Sequence, residues 1–351
     1  MKSGLRACRE YLPVLFLAGA LLMGCACAKS KTENATDPAA TDSASEARAA
    51  QLLPAAAVVP DNAPLPSVNA NRALQYTREV AAFGPRPIGS ANHKKLEDYI
   101  HAHLKSDQVE EDSFIADTPE GKLPVHNILA KFPGTKGGII VIAGHYDTPY
   151  YLRNNGFVGA NDGGSSTGLL LELANEFRGK KRDGYSVWLL FSDGEEAVKE
   201  WTDTDSVYGT RHISELWQKN GTLPKIKAFL LQDMIGDADL NIDRDQNSAP
   251  WLEELVFQAA SRYGYQSHFF ARTMDDRDDH IPFAQKHVAV ADLIDLNYGY
   301  GNAFWHTPQD TMDKLSPKSL QIAGDTLLET VRMLDNMPVV PPAPTTSQKP
   351  Q

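Results

Sequence analysis

The sequence contains few cysteines and no excess of basic residues, and both features exclude classes of protein. Three cysteines among 351 residues cannot form a disulfide framework. A formal net charge of −11 argues against a protein that binds nucleic acid, because such proteins carry a basic face. Hydrophobic residues nevertheless make up 42% of the chain, which is sufficient for a packed core and excludes a chain that is disordered throughout.

The first 24 residues predict an export signal. A basic start is followed by an apolar run that ends at Gly24 and is too short to span a membrane comfortably. The motif Leu-Met-Gly-Cys at residues 22–25 resembles a bacterial lipobox. This resemblance implies that Cys25 is lipidated and becomes the new N-terminus, so we expect an exported protein with a lipid anchor in the bacterial cell envelope.

The composition predicts one folded domain between two disordered ends. Residues 25–69 are rich in alanine, serine, threonine, aspartate and proline, which is typical of a flexible tether. Residues 338–351 form a proline-rich tail. Residues 70–337 therefore make up the folded domain, which we expect to be monomeric.

Within this domain, short apolar runs alternate with segments of helical periodicity, and this pattern predicts an α/β fold around a mostly parallel sheet. The predicted strands are His126–Phe132, Gly138–Ala143, Tyr185–Ser192, Ile226–Leu231 and Val288–Ile294. The predicted helices are Asn71–Ala82, one that begins after Ser90, Ser165–Phe177, Tyr208–Trp217, Pro250–Tyr263 and a last one that is capped by Ser316.

Histidines and carboxylates recur after the predicted strands and before two of the helices. Because the carboxyl ends of parallel strands meet at one edge of a sheet, we expect these side chains to gather there. Nitrogen and oxygen ligands without cysteine are typical of a catalytic zinc ion. The residues concerned are His145, Asp147, Asp162, Glu195, Glu196, Asp233 and His306.

The order His-x-Asp, Gly-Ala-x-Asp-Gly, Glu-Glu, Asp-x-x-Gly and His over residues 145–306 resembles the zinc aminopeptidase superfamily with co-catalytic metal ions. The resemblance implies a three-layer sandwich, in which helices flank a central mixed, mostly parallel sheet, as in the zinc exopeptidases. It also implies a role for each matching residue. Asp162, Glu196 and His306 would bind one zinc ion, His145 and Asp233 a second where two are bound, Glu195 would be the general acid/base, and Asp147 would orient His145.

Further segments resemble the animal type of glutaminyl-peptide cyclotransferase within this superfamily. They are Trp201, the motif Asp-Ser-x-Tyr-Gly-x-Arg-His at 205–212, Asp-Asp-His-Ile-Pro-Phe at 278–283, and Trp305. This resemblance implies that Trp201 and Trp305 line the substrate pocket, that Asp233 and Asp279 are the catalytic partners of Glu195, and that one zinc ion is bound. Its substrates would be peptides with a free N-terminal glutamine.

Two alternatives remain open from the sequence. All five metal positions of the aminopeptidases are present, so a peptidase with one or two zinc ions fits the same residues. A non-catalytic binding module on this scaffold is the third hypothesis, but it predicts lost ligands and none of the expected ones is missing. The sequence also departs from some animal cyclases, because it has no cysteine pair for their disulfide.

Overall fold

The computed structural model describes residues 63–338 of the chain. The predicted signal, Cys25 and nearly all of the predicted tether and tail lie outside the described residues. Over residues 63–338, every helix is too short or too polar to cross a membrane.

Strands and helices alternate along most of the described chain. The strands are β1 Gln108–Thr118, β2 Gly121–Phe132, β3 Gly134–His145, β4 Arg182–Ser192, β5 Ile226–Asp233, β6 Ile242–Asp245, β7 Phe269–Met274 and β8 Val290–Ile294. The α-helices are α1 Ala70–Ala81, α2 Ala91–Leu104, α3 Gly164–Phe177, α4 Tyr208–Lys219, α5 Pro250–Arg262, α6 Ile281–Ala284 and α7 Pro317–Asn336.

Six of the strands form one mixed sheet in the order β1-β2-β4-β3-β5-β8. The strands β4, β3, β5 and β8 are parallel to one another, whereas β2 is antiparallel to β4 and β1 is antiparallel to β2. A separate small sheet pairs β6 with β7 in parallel. The carboxyl ends of the four parallel strands therefore lie at one edge of the main sheet.

Helices cover both faces of the main sheet. Alternate residues of a strand point to opposite faces, and in β3 this places Ile140 in the larger apolar core with α1, α2, α3, α5 and α7. Val141 lies in the smaller core on the other face, where Trp217 of α4 and Phe283 of α6 pack on it. Because both faces are covered, the central strands are almost continuously apolar.

The structure confirms every predicted strand and helix, with bounds that differ by a few residues. It also confirms the two serine caps: Ser90 accepts a hydrogen bond from the backbone N–H of His93, and Ser316 accepts one from that of Lys318. The sequence did not predict β1, β6 or β7. Strand β1 is a largely exposed edge strand, so its charged sequence lacks the apolar run that marked the central strands.

Candidate active site

Three strand ends bring the predicted site residues together. Strand β3 ends at His145 and β5 ends at Asp233, while Glu195 and Glu196 follow directly after β4. All four side chains are largely buried at the same edge of the sheet. The sheet topology therefore explains why residues that are far apart in sequence meet here.

Asp162 reaches the strand ends from the loop that precedes α3, and its position is fixed through the backbone. The N–H group of Asp162 donates to Oδ2 of Asp310 at 3.1 Å, and the N–H group of Asn161 donates to Oδ1 at 2.8 Å. The guanidinium of Arg86, which is fully buried, donates to the carbonyls of Gly159 and Asp162. This loop is consequently rigid on both sides of the carboxylate.

Asp162, Glu196 and His306 converge on one point, since one ligand atom from each lies within 4.8 Å of the other two. Nε2 of His306 is 3.2 Å from Oδ2 of Asp162 and 3.2 Å from Oε1 of Glu196. Oδ2 of Asp162 and Oε2 of Glu196 are buried without a hydrogen bond. Buried carboxylates are normally paired or bound to a metal, and one imidazole with two carboxylates suits catalytic zinc. These residues therefore fit a zinc ion.

A second group of potential ligands shares Asp162 with the first. Nε2 of His145 lies 3.2 Å from Oδ1 of Asp162 and 3.1 Å from Oδ1 of Asp233. Asp162 therefore turns one oxygen toward each histidine, as a bridging carboxylate does. This group also meets the distance requirement for a metal ion, so the geometry accommodates one ion or two.

Asp147 approaches both His145 and the two glutamates. Its Oδ1 is 3.6 Å from Nδ1 of His145, which is too long for a hydrogen bond, and the same nitrogen lies 3.7 Å from Oε2 of Glu195. Asp147 accepts hydrogen bonds from two backbone N–H groups: Oδ1 from that of Glu195 at 3.2 Å and Oδ2 from that of Glu196 at 3.3 Å. The contacts of Asp147 thus position the two glutamates as well as approaching the histidine.

Glu195 lies in an environment that favours its protonated form. Burial raises the pKa of Glu195 well above its usual value, His145 opposes this effect, and the negative charges of Asp278 and Glu196 add to it. Burial likewise raises the pKa of Glu196 to about 7. A carboxyl group with a raised pKa can both accept and donate a proton near neutral pH, which is the property that a general acid/base needs.

The two adjacent aspartates before α6 have different surroundings. Asp279 is fully buried, and its two oxygens accept hydrogen bonds from the hydroxyl groups of Ser192 and Thr210. Asp278, by contrast, lines the cavity beside Glu195 and Asp233. The geometry therefore places Asp278, rather than Asp279, as the third carboxylate of the cavity.

The cavity itself has a volume of about 370 Å³, and aromatic side chains form part of its rim. Trp201 and Trp305 both line it and are each 41% exposed. The indole of Trp305 stacks on the ring of His306, with 4.1 Å between the ring centroids. A small, partly apolar side chain of a substrate would be held between these walls.

Two further features of the site had no signal in the sequence. The hydroxyl of Tyr151 lies 2.7 Å from Nδ1 of His306, so it is the outer partner of a candidate ligand. His306 also has a φ of +52°, and Met234, which follows Asp233, has a φ of +47°. Such left-handed residues are strained unless glycine, and they persist where the surroundings enforce them, often at functional sites.

Residues 164–168 have the spacing Gly-x-Ser-x-Gly, which occurs in serine hydrolases. Ser166 is nevertheless fully buried at the start of α3, and its hydroxyl donates to the carbonyl of His145 at 3.1 Å. It supports β3 and is not placed to attack a substrate.

The family described as Peptidase family M28 matches residues 127–331, which is more than half of the chain. The chain belongs to peptidase family M28. Proteins similar to this chain include the glutaminyl-peptide cyclotransferase of Drosophila melanogaster, which is 31% identical over 253 residues, or 64% of this chain and 70% of that protein.

Solved structures agree with this placement in the M28 family. A glutaminyl cyclase from an Acidobacteriales bacterium is 47% identical, with a TM-score of 0.76, and the match covers 79% of this chain and 98% of that one. A zinc-dependent exopeptidase from Parabacteroides distasonis is 28% identical, with a TM-score of 0.68, over 78% of this chain and 100% of that one. The predicted family and the predicted three-layer α/β fold are confirmed.

Proposed function

We propose that this chain is a zinc-dependent glutaminyl-peptide cyclotransferase, which converts the N-terminal glutamine of a peptide to pyroglutamate and releases ammonia. The observation that carries the proposal is a three-residue metal set beside a small cavity with aromatic walls, in a chain 47% identical to a solved glutaminyl cyclase. Enzymes of peptidase family M28 act on amide bonds, and the transfer of an acyl group from an amide to an amine is a reaction of the same class.

Asp162, Glu196 and His306 would hold one zinc ion. When bound there, zinc supplies Lewis acidity at the floor of the cavity. The remaining steps belong to side chains of the chain itself.

Glu195 accepts a proton from the α-amine of the substrate, and the amine nitrogen forms a bond to the γ-carboxamide carbon. Glu195 then donates this proton to the departing nitrogen as the carbon–nitrogen bond of the carboxamide breaks, so that ammonia leaves. One carboxyl group serves both transfers, and its raised pKa suits it to both.

Acidic and aromatic groups orient the substrate for this attack. Asp233 and Asp278 line the same cavity as Glu195, and their negative charge attracts the N-terminal amino group of a peptide. Trp201 and Trp305 would hold the methylene groups of the glutamine and exclude water, which favours ring closure over hydrolysis.

A zinc aminopeptidase is the second candidate, and one observation favours it. His145, Asp162 and Asp233 form a second group with the spacing of metal ligands. A two-metal site of this kind supports hydrolysis by an activated water molecule.

One assay separates the candidates. Metal-loaded protein is supplied with glutaminyl peptides and, separately, with leucine and alanine anilides. Ammonia together with a pyroglutamyl product supports the cyclotransferase, and elemental analysis should then find one zinc ion per chain. A released amino acid without a ring product supports the peptidase, and neither activity would leave the binding module as the better hypothesis.

The location of the protein rests on the sequence pattern at residues 1–25. We propose that the signal is cleaved and that Cys25 carries a lipid, which tethers a monomeric domain of residues 70–337 at the envelope through a flexible segment. The full-length protein should partition into the detergent phase, whereas its Cys25→Ser variant should not. Light scattering of the domain measures the oligomeric state.

A further inference from the structure

A second cavity, of about 250 Å³, adjoins the candidate active site. Trp201, Arg277 and Asp278 line both cavities, so the two are separated only by shared side chains. A peptide whose first residue occupies the acidic cavity continues past its rim, and Trp201 at this rim also lines the second cavity. The second cavity is therefore placed to contact the second residue of a peptide substrate.

Arg211, in the wall of the second cavity, is a half-buried cation that forms no salt bridge within 4.0 Å among the described residues, although the charges of Glu215, Asp205 and Asp203 act on it from further away. Its guanidinium donates to the main-chain carbonyls of Ser206 and Thr204, each at 3.1 Å, and lies over the ring of Tyr208. These contacts hold the group in place but do not neutralise its charge. A fixed guanidinium beside an active site that is not tied up in a salt bridge is suited to an anionic ligand.

Arg277 supplies a second guanidinium to this cavity, and its partner can be exchanged. It lies 3.2 Å from Oδ1 of Asp203, and the two side chains are 56% and 87% exposed. Exposed ion pairs of this kind contribute little to stability, since water and salt screen them. A carboxylate from a substrate can therefore replace Asp203 as the partner of Arg277 with little loss of free energy.

We propose that the second cavity binds a carboxylate on the residue after the N-terminal glutamine, and that Arg211 and Arg277 recognise it. The inference rests on the proposed cyclisation of glutaminyl peptides and names their preferred class. The carboxylate can come from an acidic side chain at the second position or from the C-terminus of a dipeptide.

The test compares peptides that differ only in charge. Gln-Glu-Ala-amide and Gln-Gln-Ala-amide have the same length and nearly the same shape, and Gln-Ala is compared with Gln-Ala-amide. We expect kcat/KM to favour the Glu peptide by about three- to tenfold. A preference confined to free Gln-Ala over its amide would assign the subsite to the terminal carboxylate. No preference in either pair would overturn the proposal.

Three variants locate the effect. Arg277→Gln and Arg211→Gln should each reduce the preference toward unity, whereas Asp203→Asn should increase it by removing the competing carboxylate. Arg272→Gln is the matched control, because Arg272 is 51% exposed and pairs with Asp243 on the small sheet. Arg277 and Asp203 are exposed, so their substitution should not disturb folding. These two variants therefore test the proposed subsite even where Arg211→Gln fails to fold. If the preference for the Glu peptide were unchanged in both Arg277→Gln and Asp203→Asn, Arg277 would not be part of the subsite.

Binding gives a readout that does not depend on turnover. Calorimetric titration of the Glu195→Gln variant with the same tripeptide amides should show tighter binding of the Glu peptide by a similar factor. Equal binding within the tripeptide pair, and also within the pair of Gln-Ala and Gln-Ala-amide, would refute the subsite. Turnover without a preference in either pair would reject the subsite alone, whereas no ammonia from any of the peptides would reject the proposed function.

Discussion

Asp147 binds the backbone of Glu195: the N–H group of Glu195 donates to Oδ1 of Asp147, with 3.2 Å between nitrogen and oxygen. The second oxygen of the same carboxylate accepts the N–H group of Glu196 at 3.3 Å. One buried side chain thus sets the positions of two adjacent glutamates, to which we assign proton transfer and zinc binding respectively.

Replacement of Asp147 by Asn should disturb both glutamates. The amide is nearly the same size, but one of its ends is a donor and would face a backbone N–H group. We expect kcat on a glutaminyl peptide, or zinc affinity, to fall by about 10- to 100-fold, as is common for residues that support a metal site. Steady-state kinetics and zinc content per chain measure the two effects, and wild-type values for both would show that the contact is dispensable.

Glu195 and Glu196 offer a matched pair of substitutions. Glu195→Gln removes the proposed proton carrier and should lower kcat by about 10²- to 10⁴-fold while zinc stays bound. Glu196→Gln makes the same chemical change one residue later and should lose zinc as well as activity. Retained turnover in Glu195→Gln, or full zinc occupancy in Glu196→Gln, would show that the roles are assigned wrongly.

The raised pKa of Glu195 predicts the acid limb of the pH profile. Its carboxylate must be deprotonated to accept the proton of the substrate amine, so kcat falls as the pH drops through this pKa. Burial raises the pKa above the ordinary 4.5, and the charge of Asp278 adds to this, so the limb should lie above pH 4.5. Asp278→Asn removes one like charge and should move the limb toward lower pH, measured as kcat against pH.

Asp278 and Asp279 provide a second matched pair. Asp278 lines the cavity, and Asp278→Asn should lower kcat by about tenfold or more with little effect on stability. Asp279 accepts hydrogen bonds from two buried hydroxyl groups. Asp279→Asn should therefore lower the free energy of unfolding by about 1–3 kcal/mol. Chemical denaturation and steady-state kinetics on both variants test these two roles. A loss of kcat in Asp279→Asn and a loss of stability in Asp278→Asn would show that the roles are reversed.

The sequence predicted the site residues because they follow strands that are buried on both faces and therefore easy to recognise. The resemblance pointed to Asp279, whereas Asp278 lines the cavity, since the two are adjacent in a loop and only the folded backbone decides which one faces the cavity. The resemblance implied that Asp147 orients His145, and the contact of Asp147 with the backbone of Glu195 became visible only in the fold. Arg86 and Tyr151 were not predicted, because Arg86 lies in a loop and Tyr151 in a three-residue 3-10 helix, and neither segment carries a recognisable motif.

A second buried network lies behind the loop that carries the glutamates. Nε2 of His93 is 2.6 Å from Oδ1 of Asp193, and its Nδ1 is 3.1 Å from Oε1 of Glu97. All three side chains are almost inaccessible. Burial disfavours the charged imidazole, but Asp193 and Glu97 outweigh this and raise the pKa of His93 to about 10. His93 is therefore a buried cation between two carboxylates.

Removal of this cation should destabilise the fold without removing a proposed catalytic group. His93→Gln leaves Asp193 buried without its cationic partner, whereas Glu97 keeps Lys94 at 3.6 Å and His126 at 2.9 Å. We expect a loss of about 3–5 kcal/mol in the free energy of unfolding near pH 6. His101→Gln is the control on the same helix, because its partner Glu111 is exposed and the loss should stay below about 1 kcal/mol.

The effect of His93→Gln should also depend on pH in a defined direction. The pKa of His93 is higher in the folded state, about 10, than the 6.5 of an ordinary histidine. Its contribution is therefore complete below about pH 6.5 and is lost as the pH rises toward 10, because the folded state then gives up a proton that it holds more tightly than the unfolded chain. The difference in unfolding free energy between wild type and His93→Gln should shrink over this range. A constant difference would mean that His93 stabilises the loop by packing against Tyr146 rather than by its charge.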